Sequence, residues 1–207
     1  ANSLDARLRG VFFLQPLETA VAGLVVECAV NDSRFEVRSG ELEGGGELNA
    51  AALHCTGKLA ATTLSVQTPS PLPEAWRHRC VQTAACSALY GAFHVAGLQY
   101  GPAFQTLEQA WTACGEQGKR GVEAAARPRP RTVRQGSLVH PADLDGALQL
   151  TATASPTGGG GEARVPFALD TASLRSAAGE LWAAVRRSHG SESVGVRLGP
   201  AARAAGA

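Results

Sequence analysis

In the first third of the chain, apolar residues come in short runs or alternate with polar ones, a pattern that predicts strands rather than helices. Residues 8–15 (LRGVFFLQ) and 21–30 (VAGLVVECAV) are rich in valine and phenylalanine, and Pro16 between them signals a turn. In residues 34–39, Phe35 and Val37 alternate with polar neighbours, as in a half-buried strand. The glycine-rich loop from Glu43 to Glu47 leads to a further strand over 49–59. Together these predict an antiparallel sheet without a long helix of its own. Such a sheet has a bare apolar face, so something must pack on it.

Pro69, Pro71 and Pro73 mark a stiff linker, taken as 69–78, between a first half at 1–68 and a second at 79–207. Val81, Ala85, Leu89 and Phe93 recur at helical spacing and predict an amphipathic helix over 79–96, closed by Gly97. Residues 104–116 and 119–127 predict a strand pair about Gly118, followed by an extended loop at Pro128 and Pro130. A helix from Ala142 to about Thr153 is followed by the Gly158–Gly161 loop. Segments 164–174, 180–188 and 194–198 then complete a second sheet, and the AARAAGA tail frays. The fold class is α+β.

The helix after His140-Pro141 carries the most suggestive chemistry. Proline lacks a ladder donor and stops the preceding strand. Leu144, Ala147 and Leu148 face a core, while Asp145 and Gln149 lie one turn apart on a shared face. A carboxyl group on the wall of an apolar helix is desolvated, which raises its pKa and suits it to donate a proton. Acidic residues soon after a proline, here Asp143 and Asp145, also suit the helix dipole without any catalytic purpose. Spacing alone favours that second role.

Composition narrows the classes. A chain of 207 residues with 19 basic and 18 acidic side chains has a real core and almost no net charge, so nothing points to nucleic acid or an anionic membrane. No apolar run is long enough for a membrane helix, and no signal sequence opens the chain, so a cytoplasmic protein is expected. Cys28, Cys55, Cys80, Cys86 and Cys114 form neither a disulfide framework nor a zinc pattern, and no metal is expected. His78, Cys80, Cys86 and His94 cluster in sequence without ligand spacing. The absence of methionine, even at position 1, suggests a piece of a longer polypeptide.

Three motifs carry a resemblance. The run from His140 to Gln149 is similar to the HPxxxDxxxQ motif of polyketide synthase dehydratase domains, relatives of the dehydratase in animal fatty acid synthase. Gly97 to Gln105 resembles the family's GxxYGPxF segment, and Val165-Pro166-Phe167 its LPF strand. The resemblance implies a double hotdog, in which two curled antiparallel sheets each wrap a central helix. The first hotdog is incomplete here, because the family's HxxxGxxxxP motif, whose histidine is the base, does not occur. His54, on a predicted strand, reads as structural rather than as a replacement base.

By the same resemblance the chain removes water from a β-hydroxyacyl thioester carried on the phosphopantetheine arm of an acyl carrier protein. No other cofactor is implied. Asp145 resembles the acid, and Gln149 the residue that bonds that carboxyl or the leaving hydroxyl. Tyr100 holds the YGP position, where its phenol either reaches the site or packs the turn; both remain open. Gly101 and Pro102 shape the backbone, while Phe104 and Leu144 line core or tunnel, and Phe167 reads as core. His140 heads the helix at the substrate side in a turn-fixing role. Arginines in 127–134 could meet an acidic carrier, although a solvated loop explains them as well. Other synthase domains are the implied partners, with a homodimer one arrangement allowed. With the acid but not the base, these residues alone are expected to be inactive. A non-catalytic scaffold, a product-template cyclase and a double-bond isomerase are the alternatives.

Overall fold

The structure, a computed structural model, describes residues 5–18, 20–42, 44, 46–60, 74–114, 120–131, 136–137, 139–153, 167–175, 180–187 and 193–200. The predicted TPSPLP linker, the turn at Gly118, the Gly158–Gly161 loop and the tail lie outside them. In chain order the elements are β1 (Asp5–Phe13), β2 (Val25–Asn31), β3 (Arg34–Leu42), β4 (Leu48–Ala60), α1 (Glu74–Arg79), β5 (Cys80–Ala84) and α2 (Cys86–Val95). They continue with β6 (Leu107–Cys114), β7 (Arg120–Pro128), α3 (Pro141–Gln149), a 3-10 turn (Leu150–Ala152), β8 (Ala168–Arg175), β9 (Leu181–Arg187) and β10 (Val194–Pro200). The chain divides into two units, one of residues 1–65 with 164–175 and the other of 66–163 with 176–207.

The first unit is a five-stranded antiparallel sheet in the order β2-β3-β4-β1-β8. Asp32 and Ser33, with φ of 45° and 66°, form the two-residue turn between β2 and β3, a conformation that matches the twist of a tight hairpin. The register pairs Val26 with Ser39, Cys28 with Val37 and Val30 with Phe35, which places these residues on one face. His54 is buried in β4. Its Nε2 lies 2.7 Å from Ser39 Oγ, and its Nδ1 donates to the Pro16 carbonyl at 3.0 Å. Both ring nitrogens are thus engaged, as in a structural histidine.

The segment expected to complete the second sheet pairs instead with β1, as β8, matching Ala168 to Phe12 and Leu174 to Ala6. An apolar alternation identifies a strand but not the strand it will pair with. Phe167 therefore lies beside the first sheet, where its carbonyl accepts from Phe13 N–H at 2.9 Å. Its ring meets Phe12 edge-on at 6.2 Å and is 67% exposed, so the expected core position is corrected.

The second unit is a five-stranded antiparallel sheet ordered β10-β9-β7-β6-β5. Alternation along the strands divides its two faces. Ala124, Ala126, Ala183 and Val185 join Leu107, Ala110, Ala147 and Leu150 in a core shared with α3 and the turn after it. Ala125 and Ala184 face the other way, against Trp76 and Cys80, with Trp111 and Ala113 beside them. Trp111 stacks on Trp182 at 5.4 Å. The alanines of β7 let a helix approach closely, which seats α3 as the central helix.

Two elements depart from expectation. The helix predicted over 79–96 is broken, because Cys80–Ala84 pairs with β6 and Ala85 is extended, so only Cys86–Val95 is helical there. Val81 and Thr83 are β-branched and favour a strand beside β6, whatever their spacing. Residues 74–78, read as the end of a linker, belong to α1, which buries Trp76. Arg79 lies over the Trp76 ring at 5.5 Å and donates from Nε to the buried Glu123 at 2.6 Å. Gly97, with φ of 88°, ends α2 in the left-handed conformation expected after a helix. No helix among the described residues is long and apolar enough to cross a membrane.

Candidate active site

The site is built on α3. His140, extended, is its N-cap: Nδ1 accepts from Ala142 N–H at 3.1 Å, and the His140 carbonyl accepts from Asp143 and Leu144 N–H. Pro141 follows as the first helical residue, where its missing N–H costs nothing. The histidine at the head of the motif thus holds the helix start.

The two acidic residues have different surroundings. Asp143 is buried and takes Arg131 Nε on both oxygens, at 3.1 and 3.2 Å, which ties the loop after β7 to the helix. Asp145 is only partly buried, and its Oδ2 accepts from Gln149 Nε2 at 2.7 Å. Burial pushes the Asp145 carboxyl above its ordinary value, while the Gln149 N–H opposes this by favouring the ionised form.

Gln149 is itself buried and fully committed. Its other Nε2 hydrogen goes to the Phe104 carbonyl at 3.1 Å, and its Oε1 accepts from Tyr90 OH, also at 3.1 Å. Tyr90 oxygen in turn accepts from Leu107 N–H at 3.0 Å. Tyr100 stands against Phe93 and Tyr90, with ring centroids 5.2 and 6.4 Å away. Burial raises the Tyr100 phenol, nearby Asp145 raises it further, and Gln149 opposes both. Its ring packs against Tyr90, the residue whose hydroxyl bonds Gln149.

Gly146 marks how tightly the helix is held. A Cβ there would stand 2.1 Å from Thr106 Oγ1, which donates to the Ala142 carbonyl at 3.2 Å. Only a residue without a side chain leaves room for this contact, one position beyond the carboxyl.

Of the residues predicted for the site, Asp145, Gln149 and the Phe104 carbonyl are joined by hydrogen bonds, and the Tyr100 ring packs on Tyr90 beside them. Gly101 and Pro102 are exposed in the turn, where the Gly101 carbonyl accepts from Phe104 and Gln105 N–H. Phe104 is 42% exposed at its side chain. Leu144 and Leu148 are only partly buried, whereas Ala147 and Leu150 take the core positions of this helix. Tyr90 was not predicted; its one signal is a phenol among the apolar residues Leu89 and Phe93 of α2.

Of the arginines read as a solvated loop or a carrier contact, Arg134 lies outside the described residues and the other three have partners within the chain. Arg127 meets Glu108 at 3.2 Å and Glu180 at 3.6 Å, Arg129 donates to the Gln105 carbonyl at 2.6 Å, and Arg131 holds Asp143. Cys28, Cys55, Cys80 and Cys86 are free thiols, and Cys80 is buried with its thiol pushed up to about 11, by burial first and then by Glu123. No group of three or more His, Cys, Asp or Glu side chains that could hold a metal ion occurs among the described residues.

The family model described as the polyketide synthase dehydratase N-terminal domain matches residues 68–198, more than half of the chain. The chain belongs to the polyketide synthase dehydratase family. Polyketide synthase GfsE of Streptomyces halstedii is 37% identical to this dehydratase chain over 123 residues, 56% of the chain and 3% of GfsE. The spectinabilin polyketide synthase system protein NorB of Streptomyces orinoci is 31% identical over 148 residues, 70% of the chain and 6% of NorB. The chain thus spans a small fraction of the length of these curated relatives.

Among solved structures, the dehydratase domain from the CurF module of curacin polyketide synthase superposes with a TM-score of 0.72 at 23% identity, over 96% of this chain and 71% of that one. A trans-AT polyketide synthase dehydratase domain from Brevibacillus brevis gives 0.66 at 21% identity, over 94% of this chain and 70% of that one. These likenesses establish the fold: two antiparallel sheets with few helices, of the hotdog kind.

Proposed function

We propose that this dehydratase chain supplies the acid for removing water from a β-hydroxyacyl thioester. The Cα–H bond breaks, its electron pair forms the Cα=Cβ bond, and the Cβ–O bond breaks. Asp145 gives its proton to the departing hydroxyl, which leaves as water. The α-proton goes to a separate base, for which the resemblance names a histidine. The products are an enoyl thioester and water.

The observation that carries this reading is the partly buried Asp145 carboxyl, raised by desolvation and held at one oxygen by Gln149. An acid of this kind contributes about 10²–10⁴-fold to such a reaction. Because Gln149 N–H occupies Oδ2, the proton of the neutral acid resides on Oδ1. Oδ1 is then the donor to substrate. Tyr100, which packs on Tyr90, is the residue of the YGP position that would bond the same hydroxyl. The thioester would arrive on the phosphopantetheine arm of an acyl carrier protein, with other synthase domains as neighbours.

The test is Asp145→Asn in the polypeptide that carries this sequence, offered a β-hydroxybutyryl thioester, with mass detection of the product lighter by one water. Asparagine keeps the shape and accepts from Gln149, so the fold is retained while the acid is lost. A fall of at least 10²-fold is expected. Undiminished product formation would reject the assignment.

A further inference from the structure

Gln149 can serve an acid in only one orientation. Turned as described, its Nε2 gives one hydrogen to Asp145 Oδ2 at 2.7 Å and the other to the Phe104 carbonyl at 3.1 Å. Turned over, its carbonyl oxygen would face the carboxyl, accept the acid proton on Oδ2 and withhold it from substrate. Packing cannot choose between these states, because amide oxygen and nitrogen are nearly the same size. Hydrogen-bonding groups of fixed polarity choose, and the Phe104 carbonyl, which only accepts, is the first of them.

Tyr90 is made the second by its own partner. A phenol oxygen both donates and accepts, and alone it would satisfy either orientation of the amide. Here the Leu107 backbone N–H, which can only donate, occupies the acceptor side of Tyr90 oxygen at 3.0 Å. The phenolic hydrogen is thereby directed to Gln149 Oε1, 3.1 Å away. The polarity runs from a main-chain amide in β6 through α2 to α3. Tyr90 can be replaced in that chain only by another group able to accept and donate at once.

We infer that Tyr90 is a positioning residue for the dehydratase reaction: primed by Leu107 N–H, it locks the Gln149 amide so that Asp145 keeps its proton on the oxygen facing substrate. This rests on the reading of Asp145 as the acid. Tyr90 acts through Gln149, without a chemical step of its own. The charged and titratable groups about it are Asp145, Tyr100, Cys86 and Arg129.

The test is Tyr90→Phe in the polypeptide that carries this sequence, with the same β-hydroxybutyryl thioester. The ring keeps its contacts with Phe93 and Tyr100, and only the hydroxyl is removed. With the lock gone, kcat falls on the order of tenfold, the worth of one good hydrogen bond, while KM changes little. With only the Phe104 carbonyl left to orient it, the amide turns part of the time, and for that fraction the ionised carboxyl loses its N–H donor. The basic limb of the pH–rate profile, where the acid ionises, therefore moves to higher pH. A substitution that merely loosens the fold would not move that limb upward.

Gln149→Ala provides the second arm. In that background Tyr90→Phe has no further effect, because the residue through which it acts is gone. An unchanged basic limb, or a full tenfold loss on top of Gln149→Ala, would overturn the inference. Full activity in Asp145→Asn would instead overturn the underlying reading of the acid. The two failures are therefore distinguishable.

Discussion

Alanine at position 146 tests the seat of the proposed acid. In an exposed helix interior, Gly→Ala stabilises by about 1 kcal/mol through backbone entropy. Here the added Cβ stands 2.1 Å from Thr106 Oγ1, and Leu107 Cδ2 is 3.6 Å away, so the helix and the start of β6 have to separate. Overpacking of this kind costs about 1–3 kcal/mol. If Thr106 rotates away instead, it gives up its bond to the Ala142 carbonyl, worth about 1 kcal/mol. Separation, the costlier route, outweighs the entropy gain, and the net expectation is a loss of up to roughly 2 kcal/mol. Urea unfolding followed by tryptophan fluorescence reads the correct unit, since Trp76, Trp111 and Trp182 all belong to it. Thr106→Ala in the Gly146→Ala background should recover stability that Thr106→Ala alone does not bring. Equal or greater stability of Gly146→Ala, or simple additivity of the pair, would refute the reasoning.

Two further outcomes follow from the same helix. Arg131→Ala leaves the buried Asp143 without its guanidinium and should cost on the order of 2–3 kcal/mol, less than a fully buried pair because Arg131 is 26% exposed; a loss under about 0.5 kcal/mol in urea unfolding would contradict the clamp. Asp145 has a native pKa above the ordinary 3.8, so the native state holds its proton longer than the unfolded chain does. Its stabilising contribution is complete below 3.8 and is lost as pH rises through the native value. Asp145→Asn does not titrate, so its stability relative to the parent should grow with pH above 3.8; a constant or shrinking difference across urea midpoints would contradict the burial argument.

The motif helix was legible because His140-Pro141 gives it a start and Asp145 and Gln149 share a face by spacing alone. Four strands of the first sheet were legible from apolar alternation. The partner of the fifth was not, because Ala168–Arg175 pairs with β1 across more than 150 residues and no local pattern encodes that distance. The break between β5 and α2 was hidden by a fortuitous helical period, Val81 to Phe93, of which only Leu89 and Phe93 are on the helix. Tyr90 escaped because its role depends on Leu107 N–H and Gln149, residues 17 and 59 positions away. Asp143 and Asp145 look alike in sequence, and only their neighbours, Arg131 for one and Gln149 for the other, divide structural anchor from candidate acid.

The central claim concerns one ionisation, and a carboxyl ¹³C NMR titration of Asp145, assigned by the signal lost in Asp145→Asn, reads it directly. The account predicts a midpoint above 3.8, moving higher still when Gln149→Ala removes the N–H that favours the ionised form. A midpoint at or below 3.8, or one that falls on removing Gln149, would contradict it.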